Sequence, residues 1–294
     1  MFSIIVPSYN RQAEIPALLD SLNQQTVKSF EVIIVDDCSR EPVTVTQSYA
    51  FDCTVIRNAQ NVGAAESRNI GARQARYEWL LFLDDDDRFV NEKCAVLTEV
   101  ITQHPEVNFI YHPAHCVMVN EGFSYQTHPY TDTGLLTLDH LLRANKIGGM
   151  PMIALKKALF LKVGGLSAYL RALEDYEFLL KVVSDQDFHP FYVDHALTRC
   201  TFHTKRASVS TNTLYTEQAI EEIKTRYVRT AQHATDFELN ALYMLAYPHM
   251  MNLSRGAARY YAIMFRKTGQ IKYGILALLT CLSPQLVIQM KRFM

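Results

Sequence analysis

Short apolar runs alternate with stretches of helical periodicity through the first third of the chain. FSIIVP (residues 2–7), FEVIIVDD (30–37), CTVIR (53–57) and EWLLFL (78–83) are brief, mostly rich in β-branched residues and largely unbroken by polar positions, as expected of strands covered on both faces. After the first run, AEIPALLDSLNQQT sets Ile15, Leu18, Leu19 and Leu22 at helical spacing. Before the fourth, the Ala-rich GAAESRNIGARQA (63–75) predicts a helix packed on a sheet. Buried strands alternating with helices predict an α/β fold whose mostly parallel central sheet is flanked by helices.

In such sheets ligands sit beyond the carboxyl ends of the strands. Those ends carry Ser8-Tyr9-Asn10, then Asp36-Asp37, then Asp84 to Asp87, so polar groups are expected to converge on one edge. Past Asn91 the pattern loosens. It predicts a helix through Glu99, a strand at 108–112, an irregular stretch holding Tyr125, His128, Pro129 and Tyr130, and a helix around 135–144. An apolar segment follows over 148–165. EDYEFLLKVV (174–183) then puts Tyr176, Leu179, Leu180 and Val183 on one helical face and two acids in its first turn. From about Tyr215 the pattern is helical to the end, with no internal repeat and no low-complexity segment.

At 49% hydrophobic and 20% charged residues, the 294-residue chain has an ordinary globular composition. A formal net charge of −1 argues against a nucleic-acid binder but conceals an asymmetry. From Ser254 onward there are seven Lys or Arg and no acid, so the preceding 22 bases face 30 acids, a net −8. The six cysteines show no metal-type spacing, as expected of reduced cytosolic thiols. No charged leader precedes the first apolar run, so no export is expected. YGILALLTCL (273–282) is about half the length of a membrane-spanning helix and is followed by Pro284.

The sharpest feature is WLLFLDDDDRF, an apolar strand that surfaces into four adjacent carboxylates. One or two acids suit a turn or a helix cap. Four repel one another unless solvent or a cation screens them. Mg²⁺ or Mn²⁺ prefers oxygen ligands and takes one or two carboxylates while substrate phosphates complete its shell.

Five segments together are specific. IIVPSYNR (4–11), EVIIVDDCS (31–39), NVGAAESRNIGARQA (61–75), the WLLFLDDDD run and LEDYEFLLK (173–181) occur in the order and at the approximate spacing of the inverting glycosyltransferases of family 2, and the chain resembles that family over about its first 210 residues. The resemblance implies the nucleotide-sugar-binding GT-A fold, Rossmann-like, with a helical C-terminal extension. It implies a catalytic domain over 1–210, with a nucleotide-sugar half (1–110) and an acceptor half (111–210), and an extension over 211–294.

In similar enzymes the loop matching Pro7, Ser8, Tyr9 and Asn10 packs on the nucleotide base, the aromatic matching Tyr9 stacking on it. The acid matching Asp37 hydrogen-bonds the base, which favours the imide N–H of a UDP- or dTDP-sugar, UDP first. Asp36 reads as a turn cap. Gly63 belongs to the donor-contacting loop, and Arg68 complements the phosphates or the acidic turn. Asp84-Asp85-Asp86 match the DxD motif, with Asp86 as direct metal ligand and Asp84 or Asp85 on sugar or ribose hydroxyls, implying a Mn²⁺ or Mg²⁺ cofactor. Asp175 is the implied general base, Glu174 the acceptor contact, and His203 a metal or diphosphate contact with Lys205 and Arg206 beside it.

The implied activity is transfer from a nucleotide diphosphate sugar to a hydroxyl of a glycan or lipid-linked glycan, in lipopolysaccharide, capsule or exopolysaccharide synthesis. The basic tail fits either a packed helical cap or attachment to an anionic surface on the inner face of the cytoplasmic membrane. A receiver module also pairs acids with a third Asp, but it needs a Lys-Pro turn that this chain lacks. A sugar nucleotidyltransferase needs a Gly-rich N-terminal loop with an Arg, also missing. A non-catalytic nucleotide- or glycan-binding relative is the remaining alternative, against which Asp86 and Asp175 stand.

Overall fold

The computed structural model describes residues 1–205 and 212–293. Strand β1 (Phe2–Ser8) lies between β2 (Phe30–Asp36) and β4 (Trp79–Phe82), and β3 (Asp52–Arg57) lies outside β2. All three pairings are parallel, with Phe2 opposite both Phe30 and Trp79. The sheet continues beyond β4 through β9 (Ile153–Lys156) and β6 (Phe109–Tyr111) to β10 (Pro190–Tyr192), for seven strands. Strand β9 alone runs against both of its neighbours.

The period of two in β1 divides the core. Ile4 and Val6 face Ile15, Leu18, Leu19 and Leu22 of α1 (Ile15–Leu22), the four positions at helical spacing, together with Cys94 and Leu97 of α3 (Lys93–Gln103). Ile5 faces the other layer, which holds Ala65 and Ala72 of α2 (Gly63–Gln74) and Phe178 to Leu180 of α6 (Glu174–Val183). Each large aliphatic side chain so buried stabilises by roughly 1.5–3 kcal/mol. Helix α2 approaches the sheet closely because Gly71 has no side chain; a Cβ there would lie 2.5 Å from Ile5 Cγ2.

A second sheet runs in the order β5 (Arg88–Phe89), β11 (Thr198–Phe202), β7 (Ala114–Met118) and β8 (Phe123–Gln126), the last two forming a hairpin in the stretch expected to be irregular. Only alternate residues of β7 are buried, so its period is that of a one-sided hairpin and not of a buried strand. The apolar segment over 148–165 divides into a 3₁₀ turn, β9 and α5 (Lys157–Lys162), and α4 (Leu138–Arg143) precedes it.

The C-terminal helices are α7 (Thr213–Tyr227), α8 (Ala231–Met251), α9 (Ala257–Thr268), α10 (Ile271–Leu282) and α11 (Pro284–Met290). The first two join the main core through Ile220, Ile223, Phe237 and Ala241. They also grip α6: Asn240 Nδ2 donates to the Tyr176 hydroxyl (3.1 Å), and Tyr227 donates to Glu177 Oε1 (2.7 Å). Helices α9 to α11 form a separate core with Leu242, Ala246, Met250 and Met251 of α8 and with Met118 and Phe123 of the second sheet. No helix among the described residues is long and apolar enough to cross a membrane.

Gly71→Val drives two methyl groups into Ile5 and Val35. Overpacking of this kind costs about 1–3 kcal/mol, and chemical denaturation is expected to show that loss with an unchanged far-UV spectrum at low denaturant; an unaltered midpoint would refute the close approach.

Candidate active site

The chain builds β1, β2 and β3 outward in one direction and then returns to place β4 on the other side of β1. This reversal opens a crevice between β1 and β4 beyond their carboxyl ends, where open α/β sheets bind ligands. Pro7 marks the parting. Leu83 N donates to Ile5 O on the β4 side, whereas Asp37 N donates to Ser8 O on the β2 side, so by alternation the missing Pro7 N–H lies where β4 has already left.

Both loops beyond this point turn through the left-handed region, at Asn10 (φ 55) and Cys38 (φ 62). They are clasped together: Asn10 N donates to Ser39 Oγ (2.8 Å), and Arg40 N to Asn10 Oδ1 (2.8 Å). The Tyr9 ring is left half-exposed on the rim. Asp36 is fully buried and accepts from Ser39 N, Val43 N and Arg57 Nη1, which makes it the cap of this loop.

Asp37 is buried at the start of α2, accepting from Val62 N (2.8 Å), Gly63 N (2.8 Å) and Asn58 Nδ2 (2.9 Å). Gly63 permits this with φ +88, a conformation that other residues rarely adopt. A carboxylate has about four lone-pair directions, so one on Oδ2 remains for a ligand.

The acidic run is divided by direction. Asp84 and Asp86 face outward, with side chains 37% and 25% exposed, while Asp85 is turned under at 6%. Asp85 accepts from Ser8 Oγ (3.1 Å) and pairs with Arg11 (3.1 Å), whose guanidinium also meets Asp86 Oδ2 (3.0 Å). Asp87 is buried and accepts from Thr201 N (2.8 Å). Burial raises Asp85 to about 6 despite Arg11, and burial followed by the charge of Asp84 raises Asp87 to about 8. Two guanidinium groups, inward burial and a retained proton on Asp87 thus relieve much of the repulsion within the chain itself.

The second guanidinium is Arg68, from the second turn of α2. It is nearly inaccessible, donating from Nη2 to Asp84 Oδ1 (2.6 Å) and from Nη1 to Glu174 Oε1 (3.2 Å). Its acidic neighbours hold it firmly protonated in spite of burial. The donor-side turn and the first turn of α6 are therefore one arginine apart.

Asp175 follows Glu174, on a helix whose preceding residue, Leu173, is left-handed (φ 58). The residue keeps some solvent contact, but its carboxyl is deep-set, and Oδ1 accepts from Tyr176 N (2.7 Å). Burial, then the charge of Glu174, raises Asp175 to about 7, against the Tyr176 amide and Arg68. Gly149 forms one wall; a Cβ there would stand 3.3 Å from Asp175 Oδ2. A pocket lined by Tyr169, Leu170, Arg171, Tyr215 and Glu222 opens beside the segment leading into α6.

His203 is half-buried just past β11, two residues beyond the Thr201 amide that serves Asp87. Lys205 is left-handed (φ 58), and Arg206 lies outside the described residues. Among the described residues no group of three or more His, Cys, Asp or Glu is arranged to hold a metal ion. The donor chemistry fits a divalent cation in a narrower sense. Two hard carboxylates face outward, enough for an ion that completes its shell with diphosphate and water, though not for an all-protein cage.

Some contributors to this site carry no sequence signal. Arg11 meets carboxylates about 75 residues away, and Lys93 is wholly buried, donating to Pro151 O (2.8 Å) and Thr198 Oγ1 (2.9 Å) and so fixing the turn that contains Gly149. Arg11 closes the IIVPSYNR segment, but nothing in that segment announces these distant partners, and Lys93 belongs to no periodic or motif pattern.

Residues 3–176 match the model of glycosyl transferase family 2. A Haemophilus influenzae protein described as an uncharacterized glycosyltransferase is 60% identical over 99% of each chain. Among solved structures, Staphylococcus aureus TarS 1–349 in complex with UDP-GlcNAc superimposes with a TM-score of 0.60, covering 95% of this chain and 88% of that one at 19% identity. A mannosyltransferase from Pyrobaculum calidifontis, in complex with GDP-Man and Mn²⁺, gives 0.59, covering 99% and 86% at 16% identity.

Proposed function

The chain belongs to glycosyl transferase family 2, and from that premise we propose that it is an inverting, metal-dependent transferase moving a sugar from a UDP-sugar to a hydroxyl of a glycan acceptor. The reading rests chiefly on Arg68, which ties the outward acids of the β4 turn to the helix that carries Asp175. TarS, a structural neighbour, binds UDP and UDP-GlcNAc, which supports a uridine donor.

The uracil ring stacks on Tyr9, bedded on Pro7 and Asn10, and its imide N–H donates to the remaining lone pair of Asp37. Gly63 lets the backbone of α2 start close to the donor, and Arg68 faces the diphosphate. Asp84 takes the sugar or ribose hydroxyls, since Asp85 is committed to Ser8 and Arg11.

The acceptor sugar rests against Tyr169 and Tyr215, and Glu174 orients its hydroxyl. Asp175 takes the proton as the hydroxyl oxygen attacks the anomeric carbon. The bond from that carbon to the diphosphate oxygen breaks on the opposite face, the electron pair leaves with UDP, and the configuration inverts. A base poised near 7 suits this task. We place the reaction on the cytoplasmic side, extending a lipopolysaccharide, capsule or exopolysaccharide glycan on a lipid or glycan carrier.

Two measurements test this. Asp175→Asn is expected to bind UDP within about threefold of wild type while transfer falls 10²- to 10⁴-fold. Because the base must be unprotonated and burial raises it to about 7, wild-type kcat/KM is expected to climb through that pH and level off above it; normal turnover in the variant would remove Asp175 from the mechanism. In calorimetry, Mn²⁺ is expected to tighten UDP binding at least about tenfold, and Asp86→Ala to abolish the gain; equal affinity with and without the ion would contradict the role of Asp86.

A further inference from the structure

Helix α10 is apolar on both sides. Tyr273 and Thr280 pack inward, yet Ile271, Ile275, Leu278 and Leu282, spaced four, three and four residues apart, form an outward stripe that is 73, 48, 63 and 62% exposed. Helix α11 adds exposed Leu286 and Met290. A helix that simply covers a core carries charged or polar residues at such positions.

The charge around the stripe is mainly basic, although Glu238 of α8 pairs with Lys267 (2.8 Å). Arg255, Arg259, Arg266, Lys267, Lys272 and Arg292 are exposed, and the segment holds no acid. Lys291 is not part of this surface, for its ammonium is buried over the Tyr125 and Tyr247 rings. Apolar and basic groups meet at the turn from α9 to α10. There Phe265, Arg266 and Lys267 precede Ile271, Lys272 and Ile275, and the Phe265 ring borders Gly274 (3.4 Å to an added Cβ). Twelve residues of α10 span about 18 Å, short of the roughly 30 Å hydrocarbon core, so a bilayer would hold this helix along its surface. A second copy of the chain would bring one acid-free basic segment against another, whereas anionic lipid is complementary.

We propose that the outer face of α10, with the α9–α10 turn and α11, docks on an anionic lipid leaflet, its leucines and isoleucines at headgroup depth and its lysines and arginines on the lipid charges. The docking residues are separate from the cleft, so this inference and the catalytic reading stand or fall independently.

The full chain is expected to float with phosphatidylcholine vesicles containing phosphatidylglycerol and not with phosphatidylcholine alone, and to be released by salt. Arg266→Gln and Lys272→Gln are each expected to weaken binding about fivefold, and the pair Ile275→Glu with Leu278→Glu to abolish it, all with wild-type melting temperatures. Equal flotation with and without phosphatidylglycerol would overturn the proposal. So would a dimer in vesicle-free buffer that the Ile275→Glu, Leu278→Glu pair dissociates, since the stripe would then belong to a second copy.

Discussion

One buried guanidinium joins the two halves of the cleft. Arg68 reaches the site from the second turn of α2, and its two amino groups address different parts of the chain, Asp84 after β4 and Glu174 at the start of α6. Removing one partner from a buried ion pair costs about 3–5 kcal/mol, although a well-packed apolar replacement of the whole pair is often no less stable. A polar triad is thus a poor way to gain stability and an effective way to fix position. Its geometry follows from the sheet: Gly71 lets α2 lie close on β1 and β2, and Asp37 caps the same helix, so the direction in which Arg68 projects is set at both ends.

The acidic run is tolerated through several small accommodations. Arg11 and Arg68 neutralise the outward carboxylates, Ser8 and the Thr201 amide donate to the inward ones, and burial leaves Asp87, raised to about 8, holding a proton that an exposed carboxylate would release, while Asp85 stays largely ionised against Arg11. The chain itself thus relieves much of the repulsion that solvent or a cation was expected to screen. In the proposed reaction the ion is a partner of the ligand-bound site. The same burial that raises Asp87 also raises Asp175, and in Asp175 it yields a group suited to accepting a proton near neutrality.

The first four strands, α1, α2 and α6 were legible because their side chains follow one clear period on the two faces of one sheet, although β3, expected to be covered on both faces, is an edge strand with no fully buried residue. The convergence of Asp37, Asp84 to Asp86 and Asp175 followed from reading strand ends and recognising five segments. The second sheet was not legible. β7 and β8 are short and one-sided, joined by a turn at Gly122, and the expected irregular stretch hid their alternation. Arg11 and Lys93 were missed for another reason: each meets partners far away in sequence, and pairing of that kind leaves no local trace. The extension read correctly as helical, but its division did not show, because the residues that sew α7 and α8 to α6, Tyr227 and Asn240, are single positions among the many polar residues of these helices.

The account turns on Arg68 acting as a positioning residue between donor and base, and Arg68→Lys tests this most directly by keeping the charge while losing the fork that spans two carboxylates. With UDP affinity and single-turnover transfer measured side by side, the variant is expected to bind UDP within about tenfold of wild type while transfer slows at least about 10²-fold, the cost of an ångström-scale misplacement. Transfer at the wild-type rate, or a loss confined to UDP affinity, would show that the two halves of the cleft do not depend on this bridge.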